Sequence, residues 1–208
     1  MIAFLQGKLI EVSENHLTIG VGDAESLVGY RVSVPASYAS SGRHERGNKA
    51  TFYVYTHVRE DQLDLYGFET ISERELFVSL MKCNGVGPKA ALAILSGASA
   101  DVIVDAVIEG RAAALTAIPG VGKKTAERLT LELRDEFIKK RDAGIFYAPA
   151  SIAASNDRSA FPVFEEARQA LTSLGFKSAD IEAVLKKTKT FDRVESVVRS
   201  ALRELGPS

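Results

Sequence analysis

Gly-Val-Gly tripeptides stand at residues 85–87 and 120–122 of this chain. The copies are 35 residues apart, and a lysine follows each at the same offset, as Lys89 and Lys124. Each copy lies between two segments with helical periodicity. The repeat therefore predicts two turns of one kind, each of which opens a helix, and it constrains this region to a tandem of paired helices.

A glycine turn that opens a helix can bind an anion, because the first helical amides have no partner and the helix dipole favours negative charge there. Two such turns indicate contact with two stretches of nucleic-acid backbone. The alternative interpretation is a plain turn between two helices with glycine as a C-cap. The lysine repeated at the same offset favours the phosphate-binding interpretation over it. The candidate phosphate-binding residues are Gly85, Val86, Gly87, Lys89, Gly120, Val121, Gly122, Lys123, Lys124 and Arg128.

The net charge of −1 over 208 residues argues against a protein that binds nucleic acid through an overall positive charge. Basic groups must instead be concentrated on one face. Cys83 is the single cysteine, which excludes an intramolecular disulfide and favours a small buried side chain in a reducing, cytoplasmic compartment. No stretch approaches the roughly 20 apolar residues of a membrane span, so no membrane association is expected.

The chain predicts an α+β, multidomain protein whose first segment, residues 1–68, is a β domain. Five short runs rich in β-branched and aromatic residues, with almost no helix between them, favour a five-stranded barrel of the oligonucleotide-binding (OB) type. A long turn is predicted at Asp23–Leu27. The predicted strands are Ile2–Val12, His16–Val21, Gly29–Val34, Ala50–Val58 and Gln62–Phe68.

Residues 69–142 are predicted to form the tandem of paired helices. The residues Ser72 to Glu75 have the pattern of a capping box and predict a helix that ends near Cys83. Ser99 is a predicted N-cap. One long helix is predicted from Lys123 to about Arg141, because apolar residues recur there at helical spacing.

Residues 143–160 are small, polar and proline-containing, and they predict a flexible linker. Residues 161–208 again show helical patterns and predict a small three-helix bundle. A bundle on a tether is typical of a module that docks on a partner. Leu171, Leu174 and Phe176 are candidates for its apolar docking surface or, equally, for its core.

Four segments resemble the RuvA family, the Holliday-junction-binding subunits of the bacterial branch-migration complex. Leu80–Leu95 and Ile118–Leu133 are similar to the paired helix-hairpin-helix region of that family. Val58–Phe68 is similar to the end of its N-terminal barrel, and Ala167–Phe176 to the third domain, which docks on the RuvB motor. Hairpins of this kind occur in many DNA-repair proteins, whereas the combination with the other two segments is much more specific.

The resemblance implies a homotetramer that holds a four-way DNA junction open and flat, as one tetramer or as an octamer of two stacked tetramers. The hairpins would bind the backbone of the arms, and Glu60 and Asp61 would form an acidic pin near the crossover. The implied partners are the RuvB hexameric ATPase and the RuvC resolvase. From the residues alone, Glu60 and Asp61 would be an ordinary solvated turn.

Two other functions are compatible with parts of the sequence. A DNA glycosylase has a similar hairpin, but Asp135 lies in the same predicted helix as the hairpin lysines, with no helical domain around it to form a base pocket. A single-strand-binding barrel could stack bases on Phe52, Tyr53 and Tyr55, although such alternation is more often barrel core.

No catalytic site, metal site or cofactor is expected. The phosphate-binding motif of P-loop ATPases is missing from the sequence, so this chain should not hydrolyse ATP itself. The three histidines, His16, His44 and His57, lack the spacing of a metal-ligand set. His44 is predicted to be solvated in a charged loop.

Overall fold

The computed structural model describes residues 1–23, 26–146, 160–176, 178–187 and 193–205. Two compact units are present, Met1–Arg141 and Asp142–Ser208. The first contains the β segment and the helices with the repeated turns. The predicted domain boundary between residues 68 and 69 lies inside it and stays a prediction. Residues 147–159, most of the predicted linker, lie outside the described part of the chain.

The N-terminal strands form a closed barrel in the order β1-β2-β3-β5-β4. Neighbouring strands are antiparallel except β3 and β5, which form a short parallel pair at Ser33 and Tyr66. Closure is made by β1 against β4. The strands are β1 Phe4–Val12, β2 His16–Asp23, β3 Ser26–Ser33, β4 Lys49–Val58 and β5 Leu63–Phe68.

Alternation of side chains along the strands fills the barrel. In β4 the side chains of Ala50, Phe52 and Val54 are buried, and the residues between them are half-buried. Leu9, Leu17, Ile19 and Val32 of the other strands share this core. Side chains of period two therefore predicted the barrel, and the expected five-stranded fold is confirmed.

The predicted long turn at Asp23–Leu27 is wrong. Asp23 pairs with Ser26 in the register of β2 and β3, and Leu27 pairs with Gly22, so these residues extend the two strands. Residues 24 and 25, which connect them, lie outside the described residues. The structure therefore has a longer hairpin rather than a longer loop.

Seven described helices begin in the first unit: α1 Ala36–Ser40, α2 Ile71–Leu80, α3 Pro88–Gly97, α4 Ala100–Ile108, α5 Ala112–Thr116, α6 Lys123–Glu132 and α7 Arg134–Asp142. Within the described residues, no single helix is long and apolar enough to span a membrane, and α3 with α4 pass that test only as a pair bent by 103°.

Phe77 of α2 packs against the barrel. Its ring centroid lies 5.7 Å from that of Tyr55, 5.1 Å from that of Tyr66 and 4.9 Å from that of Phe68. All four rings belong to the first unit. Aromatic contacts at these distances are favourable beyond the area that they bury, so they fix the helical region on the barrel.

Two predicted helix features differ from the structure. The capping box of α2 is made by Thr70 and Glu73, not by Ser72 and Glu75, and Ser72 is buried. The predicted helix from Lys123 to Arg141 is interrupted at Leu133, which is the C-cap of α6. Leu133 is buried, and α7 begins at the next residue and buries its Phe137.

His44 is buried rather than solvated. Its Nε2 lies 2.6 Å from Oε1 of Glu69, and its ring is tilted against those of Phe52 and Tyr38, with centroids 5.3 and 5.7 Å away. The amide of Glu69 in turn donates to the hydroxyl of Tyr38. Burial, together with the nearby Glu73 and Glu69 carboxylates, raises the pKa of Tyr38 well above its ordinary value. The prediction was wrong because the residues next to His44 in the sequence are charged, which is typical of a solvated loop.

In the second unit the described helices are α8 Ala160–Ser173, α9 Ser178–Lys187 and α10 Val194–Leu205. A Schellman motif ends α8, since the amide of Phe176 donates to the Leu171 carbonyl and the amide of Gly175 to that of Thr172. Ala167, Leu171, Ile181, Leu185, Val197 and Ala201 form the buried side of the three helices. The predicted C-terminal helical region is confirmed.

Candidate nucleic-acid interface

The two Gly-Val-Gly turns have the same backbone geometry. In the first, the amides of Cys83, Val86 and Ala91 donate to carbonyls three, three and four residues earlier, at 3.1, 3.0 and 2.9 Å. In the second, the amides 35 residues further on make the same three bonds at 3.1, 3.1 and 3.0 Å. The sequence repeat is therefore a repeat of structure, with α2 and α3 flanking the first turn and α5 and α6 the second.

The two glycines of each turn differ in conformation. Gly85 and Gly120 have positive φ angles, +89° and +86°, which L side chains rarely adopt. Gly87 and Gly122 have φ angles of −90° and −76° in extended backbone, and each is the N-cap of the following helix. The first glycine therefore makes the turn possible, and the second has another role.

Gly87 and Gly122 leave the helix N-termini uncovered. Neither N-cap offers a side-chain hydrogen bond to the first-turn amides. A Cβ atom added at either position would meet nothing within 4 Å, so the space beside each N-terminus is open. Open space, free amides and the positive end of the helix dipole are together the requirements for binding a phosphate.

The predicted lysines lie where they can add charge. Lys89, Lys123 and Lys124 are exposed in the first turns of α3 and α6. Lys123 is 87% exposed, and its Nζ lies 4.0 Å from a carboxylate oxygen of Glu127. A pair this open to water holds the ammonium only weakly, so the lysine stays available to an anion.

Val86 and Val121, also predicted at the site, have buried side chains. They pack the turn onto the helices, and any contact with a ligand would be made by their backbone. This division explains the repeat: an apolar residue between two glycines anchors a turn whose flanking positions are free.

Arg128 lies in a different environment from the lysines. Its Nη1 donates to the carbonyl of Asn84 at 3.2 Å, and the amide of Asn84 donates to Glu132 at 3.2 Å. Two side chains one turn apart on α6 therefore hold the first turn. Burial and the Glu132 carboxylate raise the pKa of the neighbouring Cys83 thiol to about 11, so Cys83 is a protonated core residue.

Gly97, at the end of α3, lies close to the second turn, and the sequence alone did not indicate this contact. A Cβ there would lie 2.6 Å from Cγ2 of Ile118 and 3.3 Å from Cδ of Pro119, both in the second turn. Only glycine allows this close approach. Together with the Asn84 contacts, it fixes the two turns relative to each other.

Glu60 and Asp61 form the exposed tip of the β4–β5 hairpin. The amide of Arg59 donates to the carbonyl of Gln62 at 2.8 Å and closes the turn between the last strand pair, Val58 and Leu63. None of the ion pairs found in the described residues involves either acid. The tip therefore carries two exposed carboxylates, neither of which forms an ion pair within the described residues.

A groove of about 1240 Å³ lies between the barrel and the first turn. The helical side contributes Gly87 and Lys89, and the barrel side contributes Arg31 and Arg59. Arg59 directly precedes the acidic tip, so the groove runs from the first helix N-terminus toward Glu60. The repeat does not indicate the barrel arginines, because they are distant from it in the sequence.

Family models match residues 1–67, as the RuvA N-terminal domain, residues 77–135, as a SAM-like helix-hairpin-helix tandem, and residues 162–206, as the RuvA C-terminal domain. Similar curated proteins are named Holliday junction branch migration complex subunit RuvA. One from Geobacter sulfurreducens is 37% identical over 207 residues and one from Vibrio cholerae 41% over 211 residues.

The chain belongs to the RuvA family. The alignment covers 99% of this chain with both relatives, and 99% and 100% of the relatives themselves. A third relative with the same printed name, from Brevibacillus brevis, is 35% identical over 97% of each chain. The family resemblance predicted from the hairpins, the barrel end and the bundle is thus confirmed.

The three docking candidates lie at the end of α8 and in the turn that follows it, within the residues that match the RuvA C-terminal domain. Leu171 is fully buried and belongs to the core of the bundle, whereas Leu174 is 60% exposed and Phe176 is half-buried. Only Leu174 and part of Phe176 can therefore face a partner. Among the described residues, no group of His, Cys, Asp and Glu side chains is placed to hold a metal ion.

Proposed function

We propose that this protein binds four-way DNA junctions without sequence specificity and serves as the non-catalytic, junction-binding subunit of a branch-migration complex. One observation carries the proposal. Two turns 35 residues apart have the same backbone bonds and present two open helix N-termini, each flanked by lysine. Such N-termini bind phosphates, which every DNA sequence offers alike.

The charge distribution supports a junction rather than a single duplex as the ligand. Positive groups lie on the hairpins and in the groove, and a pair of carboxylates lies at the tip of β4–β5. Carboxylates repel phosphates, so they favour a site where strands diverge over continuous duplex. In this proposal Glu60 and Asp61 are the pin that separates strands at the crossover.

The assembly is part of the same proposal. Relatives are named as subunits of a branch-migration complex, and a junction with four arms matches a homotetramer with fourfold symmetry. The C-terminal bundle would recruit and stimulate the RuvB ATPase, which supplies the energy for branch migration in recombination and repair. RuvC would be a further partner on the open junction, and the complex would act in the cytoplasm.

A gel-shift titration tests the ligand. Synthetic four-way junction and linear duplex of equal length are compared at moderate salt with competitor DNA. We expect a strong preference for the junction. The double variant Lys123→Glu and Lys124→Glu should abolish it, whereas Lys139→Glu, an exposed lysine on α7, should not.

Other results would point elsewhere. Equal affinity for junction and duplex would leave a general DNA-binding protein with paired hairpins. Preference for single strands would favour the barrel as the binding site, and release of damaged bases would favour a glycosylase. Unchanged junction affinity in the double lysine variant would refute the role of the second hairpin.

A further inference from the structure

Each of the two arginines on the barrel wall of the groove is hydrogen-bonded to a histidine. Arg31 Nη2 lies 3.3 Å from His16 Nε2, across the β2–β3 pair. Arg59 Nε donates to His57 Nε2 at 3.0 Å, at the end of β4. All four side chains line the groove that faces the first helix N-terminus.

In these contacts the histidines are the acceptors. A guanidinium has only donors, so the ring nitrogen that faces it must carry no proton. At His16 the other ring nitrogen, Nδ1, lies 3.2 Å from Oδ1 of Asn15, an acceptor that fixes the proton there. Both histidines are therefore neutral when they hold their arginines.

A neutral acceptor has a consequence that a carboxylate does not. Arginines on protein surfaces commonly pair with Asp or Glu, which fixes the guanidinium but cancels its charge. In the described part of the chain, neither Arg31 nor Arg59 forms an ion pair with a carboxylate. The histidines thus orient the guanidiniums and leave the positive charge for a phosphate.

Charged groups also lie near the two histidines, but none of them forms an ion pair with Arg31 or Arg59. A carboxylate oxygen of Glu11 lies 3.8 Å from Nε2 of His16, and Asp64 is the strand partner of His57. The ring centroids of Tyr55 and Tyr66 lie 6.1 and 6.4 Å from that of His57 and keep it in place. The Arg31–His16 contact crosses the β2–β3 pair, whereas Arg59 and His57 are two residues apart at the end of β4.

We propose that His16 and His57 are positioning residues for DNA, which hold Arg31 and Arg59 toward the groove without neutralising them. The proposal rests on the DNA-binding function argued above. It adds a second wall to the site: phosphates bound at the first hairpin would also face the two barrel guanidiniums. The histidines themselves need not touch the DNA.

The test is a double-mutant cycle in the full-length protein, with four-way junction and linear duplex as probes. His57→Ala and His16→Ala should each weaken binding about three- to tenfold, the effect of losing one hydrogen bond that orients a charge. His57→Gln should restore affinity, because its amide oxygen can accept from Arg59. Gln6→Ala, an exposed polar change on β1 outside the groove, should have no effect.

The decisive comparison is made in the Arg59→Ala background. If His57 acts through Arg59, His57→Ala should cause no further loss of junction affinity in this background. It should lower the salt dependence of binding in the wild-type background but not in this one. Wild-type affinity in both His57→Ala and His16→Ala would overturn the proposal. So would a loss of affinity from His57→Ala that is as large in the Arg59→Ala background as in the wild type. Failure of the wild type to prefer the junction would instead overturn the proposed function, and the variants can still be compared on duplex.

Discussion

At the scale of single residues, the second glycine of each turn is the most direct probe of the site. Gly87→Ala and Gly122→Ala place a methyl group in open space at ordinary φ angles, so the fold should tolerate them. The methyl would lie where a phosphate approaches the helix N-terminus. We expect junction affinity to fall by about tenfold per substitution, and the melting temperature to change by less than about 2 °C.

The first glycine of each turn is the matched contrast. At Gly120 the φ angle is +86°, so alanine there should cost about 1 kcal/mol of folding free energy as well as affinity. Gel shifts and thermal melts on both variants separate the two roles. Normal affinity in Gly122→Ala would mean that the helix N-terminus is not the phosphate site.

The acidic tip is a second residue-scale test. Glu60→Gln with Asp61→Asn removes the repulsion between the tip and phosphates. Affinity for linear duplex should therefore rise, and the preference for the junction should fall by about three- to tenfold. Glu14→Gln, in the exposed turn between β1 and β2, is the control. An unchanged preference would leave the tip as the ordinary solvated turn that its residues suggest.

Single residues show where sequence reasoning succeeded and where it failed. The glycines and lysines were predictable because their spacing repeats within the chain. His44 was not, because only the fold brings Glu69 beside it, 25 residues away. Arg128 was predicted to contact phosphate because it lies on the helix that follows the second turn. Its hydrogen bond to the Asn84 carbonyl of the first turn could not be predicted, because it depends on how the two hairpins pack.

At the scale of elements, α2 and α7 are joined by a network of partly buried charges. Lys140 Nζ lies 3.0 Å from Glu75 and 3.4 Å from Glu136, and Glu136 also accepts from Ser79 at 2.7 Å. α7 begins directly after the break at Leu133. A helical pattern in the sequence cannot show such a break, because residues on both sides keep helical spacing.

The network predicts a pH dependence. Burial raises the pKa of Glu75, but hydrogen bonds from Lys140 and Arg74 outweigh it, and the net pKa is below the ordinary 4.5. A lowered pKa in the folded state means that the carboxylate stabilises the fold fully above pH 4.5. This stabilisation is lost as the pH falls through the lower, folded value. The pKa of Glu136 is lowered too, because hydrogen bonds from Lys82 and Ser79 outweigh its burial.

Removing Lys140 should reveal this dependence. Lys140→Ala should lower the free energy of unfolding by about 1 kcal/mol at pH 7, and the deficit should shrink below pH 4.5 as wild type loses the same interaction. Lys139→Ala, an exposed neighbour on α7, controls for helix propensity. Denaturant titrations between pH 3 and pH 7 make the comparison, and a deficit that does not vary with pH would argue against the network.

At the scale of the whole molecule, the prediction from sequence was strongest. The first segment alternates with a period of two residues and corresponds to the barrel. The second has helical periodicity with a 35-residue repeat and corresponds to the paired hairpins, and the third, again helical, corresponds to the bundle. What the sequence could not give is how the first two combine. The groove exists because Phe77 fixes the helices on the barrel, and that contact joins residues from two strands and a helix.

In the proposed function, the division into two units separates junction binding from recruitment of the motor. A chain shortened by deletion of residues 143–208 keeps both hairpins, the groove and the acidic tip, so its junction affinity should change by less than about twofold. It should fail to stimulate the RuvB ATPase, measured as junction-dependent ATP hydrolysis. In the full-length chain, Leu174→Asp should reproduce that loss, because Leu174 is exposed and its change leaves the bundle folded. Stimulation that survives the deletion would place the motor contact in the first unit.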